Sequence, residues 1–129
     1  MASNEESTLV VLGNLHYVMG VMTAIFACFP IIHFVIGITI LVSGLNGGDP
    51  APGLIGLLFI IISTVIILAG WTLAVLIMIA GSRLKQRRSY NFCLIIAFLE
   101  CLIVPLGTLL GVFTIINLSK DSVKELFAR

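Results

Sequence analysis

One acidic side chain, Glu100, stands inside a nearly unbroken apolar run from Phe92 to Leu118. On insertion scales an acidic residue at a helix centre costs roughly +3 kcal/mol, so such residues usually face protein or a water-filled cavity. Two kinds of chemistry are open to it: a hydrogen-bond clamp between helices, or a proton or cation site. Its partners must come from other segments. Counting depth from the segment midpoints at ~1.5 Å per residue puts Trp71 level with Glu100 and His33 within a turn of it. An indole N–H donates and an imidazole donates or accepts, so the expected buried polar cluster is Glu100, His33 and Trp71. The carboxyl is expected to be uncharged, because desolvation disfavours its charged form. His16 is expected nearer the surface, as an interfacial residue.

Other reactive groupings are sparse. Cys28, Cys93 and Cys101 all lie in apolar segments, with no CxxC pair and no histidine at metal-ligand spacing. They read as small packing residues, and three cysteines cannot complete an intrachain disulfide framework. There is no Ser/His/Asp set, carboxylate pair, phosphate-binding glycine loop or metal constellation, so no enzyme, cofactor or metal is expected. Arg83, Lys85, Arg87 and Arg88 form one basic stretch, but without the interleaved aromatics of a nucleic-acid binder. They read as a topology anchor, with anionic lipid as a candidate partner.

The elements that must hold these residues follow from composition. Of 129 residues, 60% are hydrophobic and 10% charged, and the mean hydropathy is +1.22. That is more apolar surface than a soluble domain of this size buries, so the chain reads as an integral membrane protein in contact with the lipid bilayer. Three apolar segments, Leu9 to Leu45, Gly53 to Gly81 and Phe92 to Leu118, each exceed the ~20 residues of a helical span. Met1 to Thr8 has Glu5 and Glu6 but no Lys or Arg, and the following apolar run is too long for a signal-peptide core, so no cleaved signal is expected.

The expected fold is all-α, a single membrane domain over residues 1–129 with helices over 4–45, 53–82 and 89–118. A short amphipathic C-terminal helix is expected over 122–128. The first segment is too long for one perpendicular span, which predicts an interfacial N-terminal extension, capped by Ser3 and Glu6, and a bend at Pro30. A split at Cys28-Phe29-Pro30 into two spans, giving a four-helix membrane bundle, is the alternative. Residues 44–53, rich in Gly and Pro, read as the loop between the first two spans, with Pro52 suited to the first turn of the next helix.

The positive-inside rule puts the basic loop, residues 82–89, in the cytoplasm. With three spans the tail lies outside, carrying Lys120, Lys124 and Arg129 to the unfavoured side. A re-entrant third segment turning at Pro105-Leu106-Gly107 would bring the tail back. Ser122 and Glu125 form a second capping box, and Val123, Leu126 and Phe127 an apolar face suited to the interface.

Small residues mark helix contacts in membranes. Gly37, Gly70 and Ala74 lie on such stripes, and Gly107 with Gly111 forms a GxxxG sharing the face of Glu100. This spacing points to helix packing or homo-oligomerisation. Arg87-Arg88-Ser89-Tyr90-Asn91-Phe92-Cys93-Leu94, Glu100-Cys101-Leu102, the run Pro105 to Thr114 and Val123-Lys124-Glu125-Leu126-Phe127 resemble a family of small, uncharacterised bacterial multi-pass membrane proteins. His16-Tyr17 and Cys28-Phe29-Pro30 fit the same resemblance, which implies a bacterial inner-membrane location and no particular activity. The functional expectation is an assembly or accessory subunit, a homo-oligomer or a component beside other membrane subunits. An oligomeric ion or proton channel using Glu100 is the alternative, and a cytoplasmic-loop regulator a third.

Overall fold

The computed structural model describes residues 2–47 and 50–128, with side chains over 4–47 and 51–128. All regular structure among them is helical: α1 (Ala2–Ala27), α2 (Ile31–Gly47), α3 (Pro50–Gln86), α4 (Tyr90–Glu100), α5 (Leu106–Leu118) and α6 (Asp121–Ala128). Asn4–Gly47 and Ala51–Gln86 are long and apolar enough to cross a membrane, whereas Tyr90–Glu100 and Leu106–Leu118 are apolar but shorter.

Pro30 separates α1 from α2 because its ring nitrogen cannot donate to the preceding turn. The N–H groups of Cys28, Phe29 and Ile31 bond three residues back, to Ile25, Phe26 and Cys28, at 3.1, 3.0 and 3.0 Å. The chain therefore passes Pro30 through one tightened turn. The capping box expected from Ser3 and Glu6 falls partly on a side chain outside the described residues. The glycine-rich loop expected over 44–53 is shorter than its composition implied. Helix α2 continues through Gly47 and α3 starts at Pro50, while Gly48 and Asp49 lie outside the described residues.

The third apolar segment departs most from expectation, since a single helix over 89–118 does not form. Helix α4 ends at Glu100, the chain turns over 101–105, and α5 starts at Leu106. Three registers show that α5 runs antiparallel to α4. Tyr90 Oη donates to the Leu118 carbonyl at 3.0 Å, Gly111 lies against the Ala97 carbonyl, and Gly107 lies against the Glu100 carbonyl. The reason lies in the turn itself. Pro105 lacks a donor, and the Thr108 hydroxyl takes up the freed Cys101 carbonyl at 2.7 Å. Gly107 and Gly111 then permit a backbone approach that a Cβ would block.

The helices pack as two compact units, one of residues 1–22 with 74–129 and one of residues 23–73. In the first, buried positions on α1 recur as Leu9, Leu12, Gly13, His16, Met19 and Gly20. Those on α3 recur as Ala74, Ile77, Ala80, Gly81 and Leu84. Both sets follow the three- and four-residue spacing of one helix face. Helix α6 closes this unit, burying Val123 and Leu126, and Phe127 meets the Tyr90 ring edge-on at 5.7 Å. The second capping box does not form, because Ser122 Oγ donates instead to Glu5 Oε1 at 2.6 Å.

In the second unit every buried described residue is small: Ala27, Gly37, Gly44, Gly53, Gly56 and Ser63. Gly37 faces the backbone of Gly56, and Gly70 faces Ala27. Many large apolar side chains of this unit are exposed, including Phe26, Phe29, Leu54 and Val65, while others such as Phe34, Leu41 and Ile60 are half-buried.

Candidate functional site

Glu100 is fully buried, and its partner is His16. The Nε2 atom of His16 lies 3.0 Å from Glu100 Oε2, with both side chains at 0% exposure. Helix α1 supplies the imidazole from the middle of its buried face, and α4 supplies the carboxylate from its last residue. A Cβ on Gly81 of α3 would collide with the Cβ of His16 and the Gly13 carbonyl. Glycine at positions 13 and 81 is thus what lets α1 and α3 come together around the ring.

The second ring nitrogen fixes the tautomer. His16 Nδ1 lies 2.9 Å from the Leu12 carbonyl, and a carbonyl oxygen only accepts, so Nδ1 carries a proton. One further proton then suits the 3.0 Å contact between Nε2 and Oε2. It sits either on the carboxyl, beside a neutral imidazole, or on the imidazolium, beside a carboxylate. The pair has zero net charge in both arrangements, and a low-dielectric interior tolerates that far better than an isolated ion.

Among the described residues Glu100 Oε1 and the fully buried Thr114 Oγ1 have no hydrogen-bond partner, and His16 Nε2 and Glu100 Oε2, though 3.0 Å apart, meet at ion-pair distance without the alignment of a hydrogen bond. Thr39, Thr64 and Thr72 each donate to the carbonyl four residues back, at 3.0, 2.7 and 2.7 Å. Thr114 makes no such bond, although it shares the inner face of α5 with Gly107, Gly111 and Asn117. Asn117 is satisfied, its Nδ2 donating to the Phe113 carbonyl at 2.8 Å and its Oδ1 accepting from Lys120 at 3.2 Å.

The expected cluster of Glu100, His33 and Trp71 is therefore replaced by Glu100 with His16. His33 and Trp71 both belong to the other unit. The His33 ring is exposed and lies between Phe29 and Phe59, with centroids 6.3 and 6.4 Å away. Trp71 is also exposed. Residues 92–118 do not form one straight helix, and His16 near the start of the first segment is buried rather than interfacial, so distance along straight segments does not give the neighbours of Glu100. A different signal was present: His16 falls between Gly13 and Gly20, three residues after one and four before the other, on a heptad stripe.

Each glycine of the expected packing set sits at a contact within the chain. Gly107 and Gly111 serve α4 against α5, Gly37 and Gly70 serve the second unit, and Ala74 lies beside Gly20. Among the basic residues, Arg87 pairs with Glu6 at 2.9 Å and Arg83 donates to Ser89 Oγ at 2.8 Å. Lys85 lies 4.9 Å over the Tyr17 ring. Among the described residues no group of three or more His, Cys, Asp or Glu could hold a metal ion. Comparison of the chain with protein-family models, with curated proteins and with solved structures found no match in any of the three.

Proposed function

We propose that the protein is an integral membrane subunit whose work is assembly, seated in a bacterial inner membrane with the basic loop in the cytoplasm. A second unit that buries only Gly, Ala and Ser and exposes many large apolar groups suits lipid, where close backbone packing replaces the hydrophobic effect. In this reading α4 and α5 form a re-entrant hairpin, at about 16 and 20 Å each too short to cross a ~30 Å core. The hairpin returns Lys120 and Lys124 to the side of Arg83 to Arg88, in keeping with the positive-inside rule.

The observation that carries assembly is the exposed imidazole of His33, set between the rings of Phe29 and Phe59. A polar ring facing hydrocarbon without a partner is costly. An imidazole both donates and accepts, so a second copy related by a two-fold axis can satisfy it with its own His33. The internal use of Gly107 and Gly111 removes them as the contact and moves it to this face. The test is disulfide trapping in native membranes, with Ile36→Cys, an exposed neighbour three residues along α2, on a background free of Cys28, Cys93 and Cys101 and with His33 kept. A cross-linked dimer at position 36, absent for Phe98→Cys and lost on adding His33→Ala, is the expected result. A monomer in mild detergent together with no cross-link at 36 ends this reading.

A second reading rests on the unpartnered Glu100 Oε1 and Thr114 Oγ1. With the proton held between His16 and Glu100, they outline a proton route along the inner face of α5 toward Asn117 and Lys120. Proton flux into liposomes that disappears in a folded Glu100→Gln variant would favour it, and absence of flux in the unaltered protein would exclude it.

A further inference from the structure

A cleft of about 720 Å³ opens where α3 ends, lined by the basic stretch and by Leu126 and Phe127 of α6. No carboxylate lines it. Among the described residues, Arg87 is the only one of its four cations with an anionic partner, Glu6, and both members of that pair are partly exposed. Arg83 is held by the neutral hydroxyl of Ser89, and Lys85 rests over an aromatic ring. The Arg88 side chain is exposed and has no partner among the described residues. Two carboxylates of the same unit are engaged elsewhere: Glu5 accepts from Ser122, and Asp121 pairs with Lys124 at 2.9 Å; Glu125 is exposed and does not line the cleft.

The backbone around these cations is unusual. Helix α3 ends with the Arg88 N–H on the Arg83 carbonyl at 3.0 Å and the Arg87 N–H on the Leu84 carbonyl at 3.2 Å. This is the Schellman pattern, which normally places glycine at the left-handed position. Here that position is Arg87, at φ 53°, and Ser89 follows at φ 58°. Two non-glycine residues in a row of three adopt a conformation disfavoured by their Cβ atoms. The turn thereby keeps a guanidinium where glycine would fit better.

We propose that this cleft binds the phosphate group of an anionic phospholipid. Guanidinium groups match phosphate oxygens in a forked geometry, and Arg83 and Arg88 supply two that no carboxylate among the described residues pairs with. The apolar wall of Leu126 and Phe127 distinguishes a lipid from free phosphate, because it offers the first carbons of an acyl chain a surface beside the charged site. The cleft also adjoins the boundary where the apolar run of α3 gives way to Arg83 and Lys85, the level at which headgroups lie.

The experiment uses the full chain in a mild zwitterionic detergent and follows its melting temperature against three probes. These are dihexanoyl phosphatidylglycerol, dihexanoyl phosphatidylcholine and inorganic phosphate. A saturable rise with phosphatidylglycerol, little response to phosphatidylcholine, and at least about tenfold weaker binding of inorganic phosphate are expected. The double variant Arg83→Gln/Arg88→Gln weakens phosphatidylglycerol binding on the order of tenfold or more. Lys120→Gln/Lys124→Gln, which removes the same charge from the tail, leaves that affinity unchanged. If the first double variant fails to fold, Arg88→Gln alone replaces it, with a several-fold loss expected. Equal weakening by both double variants would reduce the effect to diffuse charge and overturn the site. Inorganic phosphate binding as tightly as the lipid would overturn the lipid assignment, and no saturable response to any probe would overturn the proposal.

Discussion

The hydroxyl of Tyr90, the first residue of α4, donates to the carbonyl of Leu118, the last residue of α5, at 3.0 Å. A single helix over that stretch would hold the two ~42 Å apart. Their contact means that the apolar segment leaves and returns to the same end of its unit, where Phe127 also meets Tyr90. The tail therefore begins beside the start of α4.

Single cysteines at Ser89 and Ser119, introduced after replacing Cys28, Cys93 and Cys101, should react with a membrane-impermeant maleimide from the same side. In right-side-out cells both remain unlabelled until the membrane is opened. Labelling of Ser119→Cys alone in intact cells would mean that residues 89–118 cross the bilayer.

The His16–Glu100 contact should appear as coupling in a double-mutant cycle. Glu100→Ala leaves a buried nitrogen unpaired and a cavity behind it, at a cost of about 2–4 kcal/mol. Glu100→Gln retains an N–H that donates to Nε2, so about 1 kcal/mol or less is lost. The coupling itself should be on the order of 1 kcal/mol, since buried polar pairs in membranes average less than that and rarely exceed ~1.7 kcal/mol. Additive effects of His16→Ala and Glu100→Ala in reversible unfolding would show that the two do not interact.

Gly111→Ala should destabilise the hairpin without changing oligomeric state. The added Cβ would press on the Ala97 carbonyl and Cys101 Sγ, and overpacking of this kind costs about 1–3 kcal/mol. A change in oligomer size with unaltered thermal stability would return this GxxxG to an intermolecular role.

The sequence was legible wherever a local rule acted. Pro30 interrupts the first helix because a proline cannot donate. Apolar length implied three spanning helices, and two of them are long enough to cross a membrane while the third segment breaks into shorter ones; an amphipathic α6 follows from Val123, Leu126 and Phe127. The turn after Glu100 was harder to read, because Pro105 can kink a helix or end it with nearly the same local sequence. What tips it is the approach of α5 to Glu100 and Ala97, which Gly107 and Gly111 permit but do not announce. The αL residues Arg87 and Ser89 were also invisible, since nothing in their identity asks for a positive φ.

By itself the sequence determined that Glu100 needs a polar partner, because burial of a carboxyl among apolar side chains is costly whatever the fold. It pointed to His33 and Trp71 for that role and to the interface for His16. Only the tertiary structure decided that Glu100 and His16 meet, because their contact depends on α4 ending at Glu100 and on Gly13 and Gly81 bringing α1 and α3 together around the ring. Side-chain chemistry sets the demand, and backbone approach between distant helices decides which residue meets it.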